Sequence, residues 1–310
     1  MSYSFIPRGC SLIVIVASFV ICQSICAGEV NRDGSLVQVA AQEPASRLDG
    51  RVFTEKTKRA QLAEMWDADV RKRRIAATER ETAAWNKMQS LTDWERFRDQ
   101  RIGALQRSLG ADIAAPTDLK AVLTGTVRGK GYRIDNYVFE SRPGLLVTAN
   151  LYRPEESRQP MPGVLICHSH HNAKTQSELQ EMGALWARQG CQVLVMDQLG
   201  HGERRQHPFR TAADYAGEFR PSRQDYYFRY NVGMQLHVIG ESLVGWMACD
   251  LMRGVDLLLA QPGIDRKRII LLGAVAGGGD PAAVAAALDS RIAAVVPFNF
   301  GGPQPETTYP

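Results

Sequence analysis

The spacing of apolar and polar positions changes several times along this chain. Arg8 precedes an apolar run at 12–21, and the small residue Ala27 closes the segment before Gly28 and Glu29. The run is shorter than the roughly 20 residues needed to cross a bilayer. It reads as a cleaved secretory signal over 1–27, which predicts a secreted or periplasmic protein with no membrane contact after cleavage. Residues 28–52 are polar without a sustained period and read as a flexible linker. From 53 to 118 the apolar positions recur at helical spacing, as in Leu62, Met65, Trp66 and Val70, and predict a helical extension. Thr92 and Glu95 suggest a capping box, Trp94, Ile102, Leu105 and Leu109 share one face, and Gly110 is placed to end the helix. These aromatic residues are expected to pack on the domain that follows.

Beyond residue 119 the pattern turns to strands. Two β-rich runs, 132–140 and 145–152, flank the turn Arg142-Pro143-Gly144 and predict a hairpin. Short apolar strands at 163–167, 191–196, 268–272 and 292–298 then alternate with helices at 177–189, 235–260 and 281–288. Asp280 is read as the N-cap of the last helix and Pro281 as its first residue. Strands alternating with helices predict an α/β fold, a doubly wound, mostly parallel sheet covered on both faces, over 119–310.

The composition, 45% hydrophobic and 23% charged, suits a buried core. A net charge of +4 with interleaved signs gives no electrostatic footprint for nucleic acid. The basic patches 71–74 and 204–205 read as solvated surface. Of six cysteines, Cys10, Cys22 and Cys26 lie in the signal. Cys167, Cys191 and Cys249 are odd in number, lack CxxC spacing and sit in apolar runs, so they read as core residues.

In open α/β sheets ligands bind at the carboxyl ends of the strands. Three segments there carry chemistry: His168-Ser169-His170-His171-Asn172, Asp197-Gln198-Leu199-Gly200-His201-Gly202-Glu203, and Gly273-Ala274-Val275-Ala276-Gly277-Gly278-Gly279-Asp280. In this order they resemble the α/β-hydrolase superfamily, with an oxyanion loop, a strand ending in Asp-x-x-Gly-His-Gly-Glu, and a glycine-rich elbow between strand and helix. Phe139-Glu140-Ser141-Arg142-Pro143-Gly144 and Leu151-Tyr152-Arg153-Pro154 are similar to the secreted bacterial acetyl xylan esterase-like branch.

The resemblance implies hydrolysis of a carboxylic ester, small or polysaccharide, through a serine ester, with no cofactor. It also implies an oxyanion hole and site loops drawn from His168, Ser169, His170, His171, Gly277 and Gly278, with Asp197, His201 and Glu203 at the rim. The elbow departs from the pattern, since GxSxG needs a nucleophile at its centre. Anchoring on Gly273 and Gly277 puts Val275 there, and anchoring on the glycine triplet puts Ala276 there. Ala276 is preferred because it leaves glycine where the chain packs closest. Either side chain is inert.

Ser242, in Gly240-Glu241-Ser242-Leu243-Val244-Gly245, mimics the motif within a helix and is set aside. All six histidines precede the elbow, whereas the superfamily places its catalytic histidine after it. With the last strand at 292–298, the core is expected to be truncated, leaving an apolar edge. His168, His170, His171, Asp197, His201 and His207 suggest a metal centre by proximity, but the spacing lacks the Asp of HxHxDH, and no metal is expected. The expected state is therefore an impaired esterase; the alternatives are a non-catalytic ligand-binding relative and a histidine-rich metal-dependent hydrolase.

Overall fold

The computed structural model describes Val52 and residues 56–110, 118–156, 160–168, 173–206 and 221–298. The proposed signal, the linker up to residue 51 and the segment 299–310 lie outside them. The chain divides into two units, Met1–Asp69 and Val70–Pro310. The first contributes the start of helix α1 (Lys56–Asn86) to the described part. There Leu62, Met65 and Trp66 are exposed.

The second unit continues from Val70 with the rest of α1 and with α2 (Leu91–Leu109). The cap of α2 falls two residues earlier than Thr92 and Glu95 suggest. Ser90 Oγ accepts from the Asp93 N–H at 3.1 Å, and Asp93 Oδ2 accepts from Ser90 Oγ at 2.8 Å and from the Gln89 N–H at 3.3 Å, so Ser90 and Asp93 close the start of the helix together. Gly110 ends the helix at φ +90°. The aromatic face is not core: Trp85 and Trp94 are exposed, and Arg98 lies over the Trp94 ring at 4.8 Å. Only Leu109 of this helix is buried.

Among the described residues the core is a seven-stranded sheet in the order β1-β2-β3-β5-β4-β6-β7. The strands are β1 (Val122–Gly129), β2 (Tyr132–Arg142), β3 (Leu145–Pro154), β4 (Met161–Cys167), β5 (Gln192–Met196), β6 (Ile264–Ala274) and β7 (Ala294–Phe298). The first three form an antiparallel meander that joins β5, also antiparallel. β5, β4, β6 and β7 are parallel. β1 has no counterpart in the sequence reading, because its outward positions, such as Val122, Leu123 and Val127, are exposed and show no buried alternation.

Period-two alternation sorts β4 and β5 onto two faces. Leu165, Cys167, Leu194 and Met196 point to one side, where they pack with Leu251, Val255, Leu258, Ala282 and Ala285 of α5 (Leu243–Leu259) and α6 (Val275–Leu288). Val164, Ile166, Val193 and Val195 point to the other and meet Leu179 and Ala187 of α3 (Ser177–Arg188).

The helix expected over 235–260 is two helices, α4 (Pro221–Val238) and α5. Gly240 at φ +77° breaks them, and Ser242 Oγ caps α5 by accepting from the Gly245 N–H at 3.1 Å. The GESLVG segment is thus a helix start, not an elbow. β7 is the edge strand on the parallel side of the sheet among the described residues, with Val296 and Phe298 exposed.

Candidate active site

The chain crosses from β4 to β5 on one side and returns over β4 to β6 on the other, so the sheet reverses its direction of travel at β4. A crevice at the carboxyl end of that strand is the expected ligand site. The three strand ends are level: Cys167 stands in register with Met196 of β5 and with Gly273 of β6. His168, Asp197 and Ala274 therefore stand side by side at this end of the sheet.

The elbow lies at the end of β6. Val275 has φ +58°, a left-handed backbone that a β-branched residue adopts only under constraint. The bend falls on Val275 rather than on the preferred Ala276, which sits one residue into α6. The reason is packing around two glycines. A Cβ on Gly273 would lie 2.2 Å from the Gly278 carbonyl oxygen, and one on Gly278 would lie 2.5 Å from the Cys167 carbonyl oxygen. The strand entering the turn and the helix leaving it pass too close for any side chain at either position. The helix also starts six residues before Pro281, so Asp280 is not its N-cap and Pro281 lies inside it. Asp280 is half-buried, which raises its carboxyl above the ordinary value.

His168 is 1% exposed. Its Nε2 accepts the Gln198 N–H at 3.0 Å, which places the hydrogen of the neutral ring on Nδ1 and leaves Nε2 committed to the backbone. The His201 ring lies 5.6 Å away, centroid to centroid. His201 Nδ1 is 3.3 Å from the Leu199 carbonyl oxygen and 3.4 Å from Arg229 Nη2. Ser169, His170, His171 and His207 lie outside the described residues. Among the described residues no group of three or more His, Cys, Asp or Glu could hold a metal ion.

Asp197 anchors the second loop. Its Oδ2 accepts from Thr148 Oγ1 at 2.9 Å and from Lys174 Nζ at 2.6 Å, and its Oδ1 accepts from the Lys174 N–H at 2.9 Å. Burial pushes this carboxyl up. The hydrogen bonds and charge of Lys174, with Thr148, outweigh burial and hold it below the ordinary value. Gly202, at φ +53°, leaves the space that the carboxylate needs, since a Cβ there would lie 2.2 Å from Asp197 Oδ1. Lys174 Nζ also donates to Glu203 Oε2. Lys174 thus ties the chain after β4 to the loop after β5. Arg204, expected on the surface, is 3% exposed and donates to Asp250 Oδ2 at 2.7 Å and to the Asp197 carbonyl at 3.0 Å.

His168, the segment 197–204 and the turn from β6 into α6 are fastened together by Lys174, Gln198, Arg204 and Arg229, none of which the sequence marks as a site residue. A lysine and two arginines in polar segments carry no periodic signal. Gln198 is marked only by its place between Asp197 and the Gly-His-Gly-Glu run.

The strand order, the level strand ends and the left-handed turn from β6 into α6 define an α/β-hydrolase. The acetyl xylan esterase (AXE1) family model matches residues 92–300, and the chain belongs to that family. Among solved structures, an acetyl xylan esterase candidate from Bacteroides fragilis superposes with a TM-score of 0.53 at 18% identity, over 66% of this chain and 53% of that one. Methylesterase BT1017 gives a TM-score of 0.53 at 22% identity, over 72% of this chain and 45% of that one. At these identities the likeness concerns the fold alone. The chain spans about half the length of these two structures. No curated protein matches.

Proposed function

We propose that this protein is an exported carbohydrate-esterase relative whose cleft receives a small or polysaccharide ester and whose hydrolytic step is severely impaired. The observation that carries the reading is the elbow itself. In a GxSxG turn the strained central residue projects the nucleophile above the sheet, and here that backbone belongs to Val275. An isopropyl group can neither attack a carbonyl nor form an acyl intermediate. Export is supported by the apolar run at 12–21 and by Ala27. No described helix is long and apolar enough to cross a membrane.

Within the chain, His168 is the histidine that directly follows β4, and its Nε2 is already hydrogen-bonded to Gln198. It is therefore placed to organise the loop rather than to relay a proton through that nitrogen. A second reading, binding without turnover, rests on the same observation: the cleft's scaffold is kept while its nucleophile is absent.

Hydrolysis of p-nitrophenyl acetate by the full chain separates these readings from an active esterase. The expected rate stays close to the uncatalysed background. Turnover at or above about 1 s⁻¹, the lower end for ordinary enzymes, overturns the proposal. Val275→Ser alone is expected to stay slow, because His168, the described histidine at the end of β4, has its Nε2 already bound to the Gln198 N–H. A large gain in that variant identifies a base already within reach. Retention of acetylated xylo-oligosaccharide without product favours the binding reading.

A further inference from the structure

The helix behind the elbow contains a defect, and one side chain from the neighbouring loop repairs it. Pro281 lies inside α6 and has no N–H. In an unbroken helix the N–H of residue 281 would donate to the carbonyl four residues back, that of Gly277. Gly277 is buried, so leaving its carbonyl without a partner is costly. Gln198 Nε2 donates to this carbonyl oxygen at 2.8 Å.

The same carboxamide does more than fill the gap. Its Nε2 also donates to the His168 carbonyl, and it lies 3.1 Å from Cys167 Sγ. Its Oε1 accepts from Arg229 Nη2 of α4, and its own backbone N–H holds His168 Nε2 at 3.0 Å. Gln198 is 7% exposed. One residue at the end of β5 thus joins α4 to the segment after β4 and the elbow helix, the two parts from which an oxyanion hole in this fold is drawn.

We propose that Gln198 is the positioning residue of this site, its carboxamide standing in for the amide hydrogen that Pro281 lacks and thereby fixing α6 against the His168 segment. The inference takes the cleft of the proposed function as the site, but it stands on hydrogen bonding alone. Its test reads protection and stability, so failure of ester turnover and failure of this inference are separate results.

The test is a double-mutant cycle on the full chain with Gln198→Met, which keeps length and apolar bulk, and Pro281→Ala, which returns an N–H to the helix. Gln198→Met alone is expected to reduce the folding equilibrium constant roughly tenfold to hundredfold, the cost of leaving buried acceptors unpaired. In the Pro281→Ala background the same change is expected to cost at least about fivefold less, because residue 281 then satisfies Gly277. Effects that multiply independently, within about twofold, overturn the proposal.

Hydrogen exchange supplies the readout that a general loss of stability would not move. In Gln198→Met, amides in 173–176 and 276–282 are expected to exchange at least about tenfold faster, while those of β2 and β3 change only with global stability. Pro281→Ala is expected to restore protection at 276–282 but not at 173–176, since the bond to the His168 carbonyl is still missing. A uniform rise in exchange, or restoration of both segments together, refutes the assignment. Should Gln198→Met fail to fold, Gln198→Glu carries the test. It keeps the acceptor for Arg229 and loses the donor to Gly277, so the same coupling with Pro281→Ala is expected.

Discussion

Placing alanine at two helical glycines tests the geometry of the elbow, because the same added methyl should act in opposite directions. Gly103 lies in α2, where a Cβ would meet nothing closer than the flexible end of Arg107, Nη1 at 3.4 Å. Gly103→Ala should therefore stabilise by about 0.5–1 kcal/mol, the ordinary helical gain. Gly278 lies in α6, where a Cβ would sit 2.5 Å from the Cys167 carbonyl oxygen and 2.8 Å from that of His168. Carbon and carbonyl oxygen come no nearer than about 3.3 Å in comfortable contacts, so the helix or the strand end must retreat by nearly 1 Å.

Both obstructing atoms belong to the backbone and cannot rotate aside. Overpacking of this kind costs about 1–3 kcal/mol. Retreat of the helix also stretches the Gln198 bond to Gly277, about 1 kcal/mol more. After the helical gain of alanine, Gly278→Ala should destabilise by about 1–3.5 kcal/mol. Urea denaturation followed by circular dichroism and tryptophan fluorescence measures both variants, with an unchanged m-value as the check that only stability has moved. If the two substitutions shift the midpoint in the same direction, or Gly278→Ala lies within about 0.5 kcal/mol of the parent, α6 does not pack on the end of β4 as described.

Two further outcomes follow from the buried charges and thiols. The folded-state carboxyl of Asp197 is held below its ordinary value of 3.8, so its contribution is fully present above that pH and is lost as the pH falls through the lower, folded-state value. Asp197→Asn should cost about 3 kcal/mol near neutral pH, and the difference from the parent should shrink on acidification below about pH 4; a constant difference down to pH 2 contradicts the pairing with Lys174. Cys167, Cys191 and Cys249 are buried and unpaired, and burial pushes the Cys167 thiol up to about 12 despite the Gln198 hydrogen bond and the Arg229 charge. At pH 8 native protein should resist a thiol reagent such as dithionitrobenzoate, with all three sites reacting after unfolding; rapid labelling of Cys167 in native protein contradicts its place in the core.

The parallel half of the sheet was readable because β4 and β5 are buried on both faces and show as apolar runs bounded by glycine and polar residues. β1 was not, since one edge strand with exposed valines and leucine has no pattern to display. The start of α6 was misread for a local reason: Asp280-Pro281 is a favoured helix opening, but tertiary packing at Gly273 and Gly278 draws the helix back to Val275. The positive φ falls on Val275, one of the two positions that the glycine spacing alone leaves open. The break at Gly240 was overlooked because apolar residues continue through 235–260, and the cap by Ser242 becomes visible only when its hydroxyl is seen on the Gly245 N–H. For site chemistry the sequence offers three candidate segments, of which 169–172 lie outside the described residues. The fastening by Lys174, Gln198 and Arg204 was not legible, because a buried polar side chain is recognised by its partners and not by its spacing.

Exposure of the purified full chain to a fluorophosphonate, followed by intact-mass measurement, bears most directly on the absence of a nucleophile at the elbow. No stoichiometric adduct is expected under conditions that label an active serine esterase completely. A single phosphonyl group gained at a serine within minutes, with parallel loss of acetate hydrolysis, would show that a nucleophile lies elsewhere in this site and overturn the reading of an inert elbow.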